Sequence, residues 1–313
     1  ENAADHQRLE MSYLRRLPRF EYFAPQSVAA VCGVLADYPG EARLLAGGTD
    51  LVLQMRRREI APRYVIGLKG LSELAFIREQ ADGHLAIGAM TTIQAIESSP
   101  VIRKRYGLLS QTAGEMGSPE IRQVATIGGN LAGALPCADF PPALIALGAK
   151  VKLQSKQGER LVPLEDFFLR FEQTVARRDE LLTEMHLCTP PPFSGGVYLK
   201  FHDRHSMDMT TTGVCAFVTL DKERQLFRDV KIALGSSAPV PLRAKKAEAA
   251  LRGRAFSEDA LEESASLACE EAEPRSSWRA SRDFRLELIR TLTKRAIRGA
   301  WEKAVAASDR GRA

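Results

Sequence analysis

A chain of 313 residues that is 45% apolar and 27% charged can form two packed domains, and this composition excludes a largely disordered polymer. Its 44 basic and 39 acidic residues give a net charge of +5, and the basic clusters lack interleaved aromatic residues, so nucleic-acid binding is not expected. No stretch reaches the roughly 18 apolar residues of a membrane span, and the polar start has no signal-peptide core. We therefore expect a cytoplasmic protein.

The cysteines are scattered and none forms a C-x-x-C pair: Cys32, Cys137, Cys188, Cys215 and Cys269. Such a set is typical of reduced thiols, whereas a structural zinc or an iron–sulfur cluster normally shows a closely spaced pair. His202 and His205 stand three residues apart with no third ligand in sight, which favours a polar loop edge over a metal site. No metal ligand is therefore predicted in this chain.

The first predicted unit is a short β-α-β arrangement that follows a loose arm at residues 1–15. Residues 18–23 are a predicted strand, and a helix then begins near Ser27. Its apolar residues recur with the spacing of one buried helix face: Val28, Val31, Cys32 and Leu35. An apolar run that ends at Leu45 predicts the next strand.

The first glycine turn, defined as residues 46–50, follows that strand and consists of Ala46, Gly47, Gly48, Thr49 and Asp50. Glycine adopts positive φ and lets backbone N–H groups approach an anion that a larger side chain would hold away. A helix is predicted from Leu51, with Thr49 or Asp50 as its N-cap. The succession of strand, turn and helix favours a phosphate site.

The middle of the chain predicts a mixture of strands and helices. Residues 64–68 are a predicted strand, and residues 75–78 and 85–88 are predicted to pair as a hairpin. Helices are expected at residues 91–97 and 108–116. They lead to a second pair of glycines.

The second glycine turn, defined as residues 126–130, consists of Thr126, Ile127, Gly128, Gly129 and Asn130. A single glycine pair is more typical of an ordinary tight turn between packed elements. Two such turns in one chain instead favour a dinucleotide site. Neither turn is G-x-G-x-x-G, and no G-x-x-x-x-G-K-[ST] is present, which argues against Rossmann and P-loop sites.

Beyond the second turn the sequence predicts one more helix and then mainly strands. The helix covers residues 141–148, and the strands cover residues 149–153 and 181–187. The proline run at residues 190–192 is the predicted domain boundary.

After this boundary the pattern indicates a sheet closed by helices. Strands are predicted at residues 197–201, 213–220 and 230–234, and helices at residues 244–251 and 257–272. A last long helix carries an apolar stripe at Phe284, Leu288, Leu292, Ala296 and Ala300. The predicted class is α+β. The predicted domains are residues 16–190, with subdomains at about 16–70 and 71–190, then residues 195–303 and a tail at 304–313.

Three motifs in this order resemble the FAD-binding medium subunit of the molybdenum hydroxylases, the family of xanthine dehydrogenase and carbon monoxide dehydrogenase. They are the first glycine turn with Leu51, the segment 121–131 around the second turn, and the segment 138–144 that contains Asp139. The resemblance runs from about residue 19 to about residue 300. It implies an FAD-binding fold of two α+β subdomains followed by a C-terminal α+β domain.

The resemblance implies FAD as the cofactor of this chain. The implied contacts are Leu45, Ala46, Gly47, Gly48, Thr49, Asp50, Thr126, Ile127, Gly128, Gly129, Asn130, Asp139, Leu182 and Lys200. Asp139 would bind the ribose region, and Leu182 and Lys200 would line the flavin ring, where a cation stabilises the reduced form. Asp139 as an N-cap and Lys200 as a surface lysine remain open alternatives. The amide argument predicts that Gly128→Val or Gly129→Val removes FAD while leaving the fold largely intact.

By the same resemblance the chain would be an electron-transfer subunit with no catalytic residue of its own. The molybdenum-pterin cofactor and the [2Fe-2S] clusters would lie on a large and a small partner subunit, in a dimer of heterotrimers. Gln123 stands where the family often has Asn, and residues 131–138 are too few for the cluster-bearing insertion of the 4-hydroxybenzoyl-CoA reductase type. Two alternatives are a self-sufficient FAD oxidase or dehydrogenase, with a base such as His205, and a nucleotide-binding or nucleic-acid module without a redox role.

Overall fold

The computed structural model describes residues 16–204 and 206–307. The predicted arm at residues 1–15, His205 and residues 308–313 of the predicted tail lie outside this part of the chain. The described part contains sheets of three, five and four strands, a two-stranded ribbon and interspersed helices, which confirms the predicted α+β class. The division into domains at the predicted boundaries stays a prediction.

The three-stranded sheet contains only parallel pairs in the order β1-β3-β2. Its elements are β1 (Glu21–Phe23), α1 (Val28–Asp37), β2 (Ala42–Leu45), α2 (Leu51–Arg57) and β3 (Tyr64–Gly67). The hydroxyl of Ser27 accepts a hydrogen bond from the Ala30 amide at 3.2 Å, which fixes the start of α1. The four predicted stripe residues of α1 are all buried, so the predicted β-α-β start is confirmed.

The five-stranded sheet contains only antiparallel pairs in the order β4-β5-β10-β6-β7. Its strands are β4 (Ile77–Glu79), β5 (Leu85–Gly88), β6 (Lys150–Ser155), β7 (Gly158–Pro163) and β10 (Leu181–Leu187). The pairing of β4 with β5 confirms the predicted hairpin. The ribbon of β8 (Phe168–Arg170) and β9 (Gln173–Thr174) lies between β7 and β10 in sequence.

Six short helices lie in sequence between β5 and β6: α3 (Ile93–Ser98), α4 (Pro100–Arg105), α5 (Gly107–Glu115), α6 (Pro119–Val124), α7 (Ile127–Ala132) and α8 (Phe140–Ala146). The predicted helices at residues 91–97, 108–116 and 141–148 correspond to α3, α5 and α8. The helices α4 and α6 differ from the prediction, which had no element there. Both helices begin with a proline directly after a serine cap, and this Ser-Pro pair in the sequence is typical of a helix start.

The C-terminal sheet is an antiparallel meander of β11 (Ser194–Phe201), β12 (Thr212–Leu220), β13 (Phe227–Gly235) and β14 (Leu242–Arg243). Its helices are α9 (Lys245–Ala249), α10 (Glu258–Glu271) and α11 (Arg282–Ala306). The predicted strands and helices of this region are confirmed. Most of the predicted ends differ from the observed ends by one to three residues.

The C-terminal sheet buries both of its faces. Val214, Ala216 and Val218 of β12 pack with the helices α10 and α11. The alternate residue Cys215 packs instead into the core of the preceding sheet and the helices α3 to α8. Because successive strand residues point to opposite faces, this sheet joins two cores. The first sheet has a separate core of its own, to which Leu181 also belongs.

Candidate functional site

The two glycine turns lie against each other. A Cβ atom added to Gly47 would stand 2.0 Å from the carbonyl oxygen of Val124, two residues before the second turn. A Cβ on Gly129 would stand 3.9 Å from the Cβ of Ala46. Residues that are far apart along the chain therefore meet, and Gly47 is required because no side chain fits between the two backbones.

A cleft opens where the turns meet. It encloses about 1360 Å³, a volume that includes space open to solvent. The predicted residues that line it are Ala46, Gly47, Gly48, Thr49, Asp50, Thr126, Gly129 and Asn130. Its other walls include Arg43, Met116, Leu135, Glu172 and Arg178, which the sequence analysis did not identify. Leu45, Ile127 and Gly128 lie beside this lining rather than in it.

The first glycine turn offers backbone donors to the cleft. The amides of Gly47, Gly48, Thr49 and Asp50 donate to no backbone acceptor within residues 16–204 and 206–307. Gly48 has a φ of 77°, which favours glycine, and the turn is thereby held in shape. Consecutive free amides of this kind bind anionic oxygen atoms.

Asp50 occupies the N-cap position of α2, but its side chain makes no capping hydrogen bond. Burial raises the pKa of its carboxyl group. Because the carboxylate stands beside the free amides, it is suited to accept a hydrogen bond from a ligand hydroxyl rather than to meet a phosphate.

The second glycine turn is built differently from the first. Four of its five amides already have partners: Ile127 donates to the Thr91 carbonyl at 3.1 Å, Gly128 to the Ala89 carbonyl at 2.9 Å, Gly129 to the Thr126 hydroxyl at 3.1 Å and Asn130 to the Thr126 carbonyl at 3.0 Å. This turn is the start of α7, with Thr126 as its cap. Apart from the Thr126 amide, which donates to no backbone acceptor in the described residues, it therefore offers the cleft a wall and side chains rather than free N–H groups.

Gly128 faces the protein interior. A Cβ there would stand 2.6 Å from the Cβ of Ala89 and 2.7 Å from its carbonyl oxygen. A valine at this position would force apart the packing against Ala89, directly after β5, so the expectation that the fold survives Gly128→Val does not follow from this geometry. Gly129 is less crowded, since its nearest contact would be the Thr126 hydroxyl at 3.1 Å.

Asn130 carries the clearest unsatisfied group on the cleft wall. Its Oδ1 atom is buried and has no hydrogen-bond partner in the described part of the chain. Its Nδ2 atom has only a weak contact of 4.0 Å with the sulfur of Met116. Buried polar atoms are nearly always paired, so this amide indicates a polar ligand in the cleft.

Asp139 is the centre of a buried polar cluster outside the cleft lining. Its Oδ1 atom accepts from the Tyr198 hydroxyl at 2.9 Å, the Lys200 ammonium at 3.2 Å and the Thr210 hydroxyl at 2.8 Å. Its side chain makes no cap for α8. Burial and the Asp139 charge raise the pKa of Tyr198 well above its ordinary value. The Lys200 side chain is 3% exposed, so it is a buried ion-pair partner rather than a surface lysine.

Lys200 also lines a shallow surface depression together with Gly117, His202 and Met207. The segment 206–209 lies against Gly117, whose carbonyl accepts from the Met207 amide and from the Ser206 hydroxyl, both at 3.2 Å. His205 lies outside the described residues. Leu182, also predicted as a flavin contact, is 7% exposed within β10.

Asp208 anchors this segment. Burial of Asp208 raises the pKa of its carboxyl group. Hydrogen bonds from Arg279 and from the backbone amides of Arg204, Asp203 and Met209 outweigh this effect and hold the pKa well below its ordinary value. The Arg279 guanidinium lies 3.0 Å from the carboxylate. The sequence pattern predicted neither this link nor the contacts of Tyr198 and Thr210. A signal for polar contacts was present in the run Thr210-Thr211-Thr212, directly before the predicted strand at residues 213–220.

The family assignment rests on two matches that together span most of the chain. Residues 18–190 match the FAD binding domain in molybdopterin dehydrogenase. Residues 197–300 match the CO dehydrogenase flavoprotein C-terminal domain. The first match alone covers more than half of the 313 residues.

Individual relatives agree with this family. The chain is 33% identical to the xanthine dehydrogenase FAD-binding subunit of Escherichia coli O157:H7, over 92% of this chain and 96% of that protein. It is 34% identical to the carbon monoxide dehydrogenase medium chain of Hydrogenophaga pseudoflava, over 91% of this chain and 98% of that one.

Solved structures give the same result. A carbon monoxide dehydrogenase from Hydrogenophaga pseudoflava that lacks the Mo-pyranopterin moiety of its cofactor superimposes with a TM-score of 0.89, at 33% identity, over 92% of this chain and 99% of that chain. Quinoline 2-oxidoreductase from Pseudomonas putida 86 gives 0.87, at 30% identity, over 93% and 99%. The chain therefore belongs to the FAD-binding medium subunits of the molybdenum hydroxylases, a family of oxidoreductases.

Proposed function

We propose that this chain holds FAD in the cleft between the two glycine turns and passes electrons from [2Fe-2S] clusters of a partner subunit to an external acceptor. One observation carries the proposal: the turns meet at a cleft that one of them lines with free backbone amides and the other with an unpaired buried side-chain amide. FAD supplies redox chemistry in which electrons are taken up singly and released singly or as a hydride.

The residues of the chain have distinct roles in this proposal. Gly47, Gly48 and Thr49 donate their amides to the diphosphate, and Asn130 completes a hydrogen bond from the opposite wall. The second turn positions Asn130 and presses Gly129 against the first turn. Lys200 and Leu182 line the flavin ring, and Asp139, the ion-pair partner of Lys200, binds the ribose region.

The proposed assembly contains a small [2Fe-2S] subunit and a large molybdopterin subunit, as a dimer of heterotrimers. Support comes from the relatives, which include a medium chain of carbon monoxide dehydrogenase and a subunit of a 6-hydroxypseudooxynicotine dehydrogenase complex. All five cysteines are free thiols, which supports a reducing compartment such as the cytoplasm. Within residues 16–204 and 206–307, no helix is both long and apolar enough to cross a membrane.

The test compares the chain purified alone with the chain co-purified with the proposed small and large subunits. We expect about one FAD per chain in both preparations. On addition of the substrate of the large subunit, the flavin absorbance should bleach only in the complex. Bleaching in the isolated chain would instead show a self-sufficient flavoenzyme, and a chain unable to bind FAD would refute the proposal. Native mass spectrometry of the complex checks the dimer of heterotrimers.

A further inference from the structure

Arg285, in the first turn of α11, is a buried guanidinium held mainly by uncharged groups. Its side chain contacts the carbonyl oxygen of Thr211, lies 3.5 Å from the carbonyl of Ser236 and donates to the hydroxyl of Ser277 at 3.1 Å. The residue is 5% exposed, and its Nε atom is buried without a partner in the described part of the chain.

No carboxylate of residues 16–204 or 206–307 lies within ion-pair distance of Arg285. Its neighbours Arg275 and Arg279 add positive charge, and burial together with these two guanidinium groups lowers the pKa of Arg285. A buried charge is normally paired, because its desolvation costs several kcal/mol that only an opposite charge or strong hydrogen bonds offset. The chain therefore maintains a positive charge here at an energetic cost.

The groups that hold Arg285 are connected to the Asp139 cluster. The Ser236 hydroxyl donates to the carbonyl of Thr210 at 2.8 Å, and the Thr210 hydroxyl donates to Asp139 at 2.8 Å. Ser236 also donates its amide to the carbonyl of Pro136 at 2.8 Å, on the segment that leads to Asp139. Arg285 thus fixes the backbone directly behind the carboxylate.

The charges of this region do not cancel. Lys200 and Asp139 form one ion pair, which leaves the Arg285 cation in surplus behind it. Two-electron reduction of a flavin with uptake of one proton adds one negative charge at the ring. Positive charge near the ring stabilises that state, and inside a protein such effects are screened less than in water.

We propose that Arg285 is a positioning residue for the flavin, which fixes the Thr210–Thr211 backbone behind Asp139 and keeps there a positive charge that favours electron uptake. The inference rests on the proposed function, in which Lys200 lines the flavin ring and its ion-pair partner Asp139 binds the adjoining ribose region. Arg285 itself contacts protein groups only. Its effect is on the reduction potential of bound FAD, and no role in substrate chemistry is involved.

The sharpest test adds a carboxylate without touching Arg285. In Ser277→Asp the new carboxylate takes the place of the hydroxyl that now accepts from the guanidinium, and Ser277→Asn is the neutral control of the same shape. Full-length chains loaded with FAD are titrated with dithionite against a reference dye. We expect the reduction equilibrium constant of FAD in Ser277→Asp to fall about tenfold relative to Ser277→Asn, which is about 30 mV for two electrons.

Thermal unfolding of the FAD-free chains separates charge from structure. A new ion pair at residue 277 should keep or raise the melting temperature while the reduction potential of FAD falls. A purely structural role of Arg285 would not produce this combination. Equal potentials in Ser277→Asp and Ser277→Asn would overturn the inference.

A second pair of variants acts on Arg285 directly. Arg285→Lys keeps the charge and should stay near the wild-type potential, whereas Arg285→Gln keeps a hydrogen-bond donor without the charge and should lower it. Equal potentials in these two variants would also contradict the inference. If Arg285→Gln does not fold, the Ser277 pair decides. A wild-type chain that binds no FAD would refute the proposed function, whereas normal binding without these shifts would refute only the role of Arg285.

Discussion

At the scale of single residues, the glycines of the two turns have different physical tasks. Gly47 allows two backbones to approach, and Gly48 supplies a positive φ. Gly128 lies in the core, where there is no room for a Cβ. Gly129 leaves the cleft wall without a side chain at its position. The same Gly-Gly motif thus serves both packing and ligand binding, and the sequence alone does not show which glycine has which task.

Asn130→Ala should weaken FAD binding roughly threefold to tenfold, because a ligand hydrogen bond contributes about 0.5–1.5 kcal/mol. The FAD-free protein should be no less stable, since its buried Oδ1 has no partner to lose in the described chain. Fluorescence titration with FAD measures the dissociation constant. Gln123→Ala, at an exposed position, is the control and should bind as the wild type does. Unchanged affinity in Asn130→Ala would place the ligand away from this side chain.

Gly128→Ala should destabilise the FAD-free protein by about 1–3 kcal/mol, the usual cost of overpacking. The reason is the contact of 2.6 Å that the new Cβ would make with Ala89. Urea unfolding measures the change. The matched control is Gly107→Ala, where a Cβ meets nothing within 4 Å. If both variants unfold alike, the interior packing of Gly128 is not a constraint.

At the scale of elements, a buried carboxylate connects strands that are not neighbours. Glu180, directly before β10, accepts two hydrogen bonds from Arg160 of β7, at 2.8 and 2.9 Å, although β6 lies between these strands. The Arg177 amide donates to it at 2.7 Å. The hydrogen bonds from Arg160, with those from Arg177, outweigh burial and lower the pKa of Glu180 to about 2.

This pairing predicts a pH-dependent stability. Because the folded pKa of Glu180 lies below its ordinary value of 4.5, the contribution is complete above pH 4.5 and is lost as the pH falls towards 2. It amounts to about 3 kcal/mol. The free energy of unfolding of Glu180→Gln should therefore be about 3 kcal/mol lower than that of the wild type at pH 7. This difference between the two proteins should become smaller between pH 4.5 and 3. Urea unfolding at several pH values measures it, and a gap independent of pH would contradict the assignment.

The helix elements that the sequence predicted best are those with a cap and a stripe. Ser27, Thr92, Ser257 and Ser281 each cap the helix that follows. The starts of α1 and α10 could therefore be predicted closely from local chemistry. Thr126 caps α7 in the same way, yet the sequence pattern there was interpreted as an open turn.

At the scale of the whole molecule, the cleft links FAD to folding. Its walls come from the first sheet, the second turn and the segment around Glu172, so closing them around a ligand joins parts that are far apart in sequence. FAD at roughly 100 times its dissociation constant should stabilise the chain by about 2.7 kcal/mol. Urea unfolding with and without FAD measures this. Riboflavin, which lacks the diphosphate, is the control and should stabilise less; an equal effect would argue against the amides of the first turn.

The sequence by itself determined the α+β class, most of the helices and strands, and the two glycine turns with Asp139 and Lys200 as residues of interest. These features depend on local chemistry: periodic burial, capping side chains and glycines without a Cβ. Only the tertiary structure decided which amides are free, because amides of the second turn donate hydrogen bonds to the carbonyls of Ala89 and Thr91, which lie in a segment distant in the chain. The buried charge of Arg285 was likewise invisible in the sequence, since burial is a property of the packed molecule.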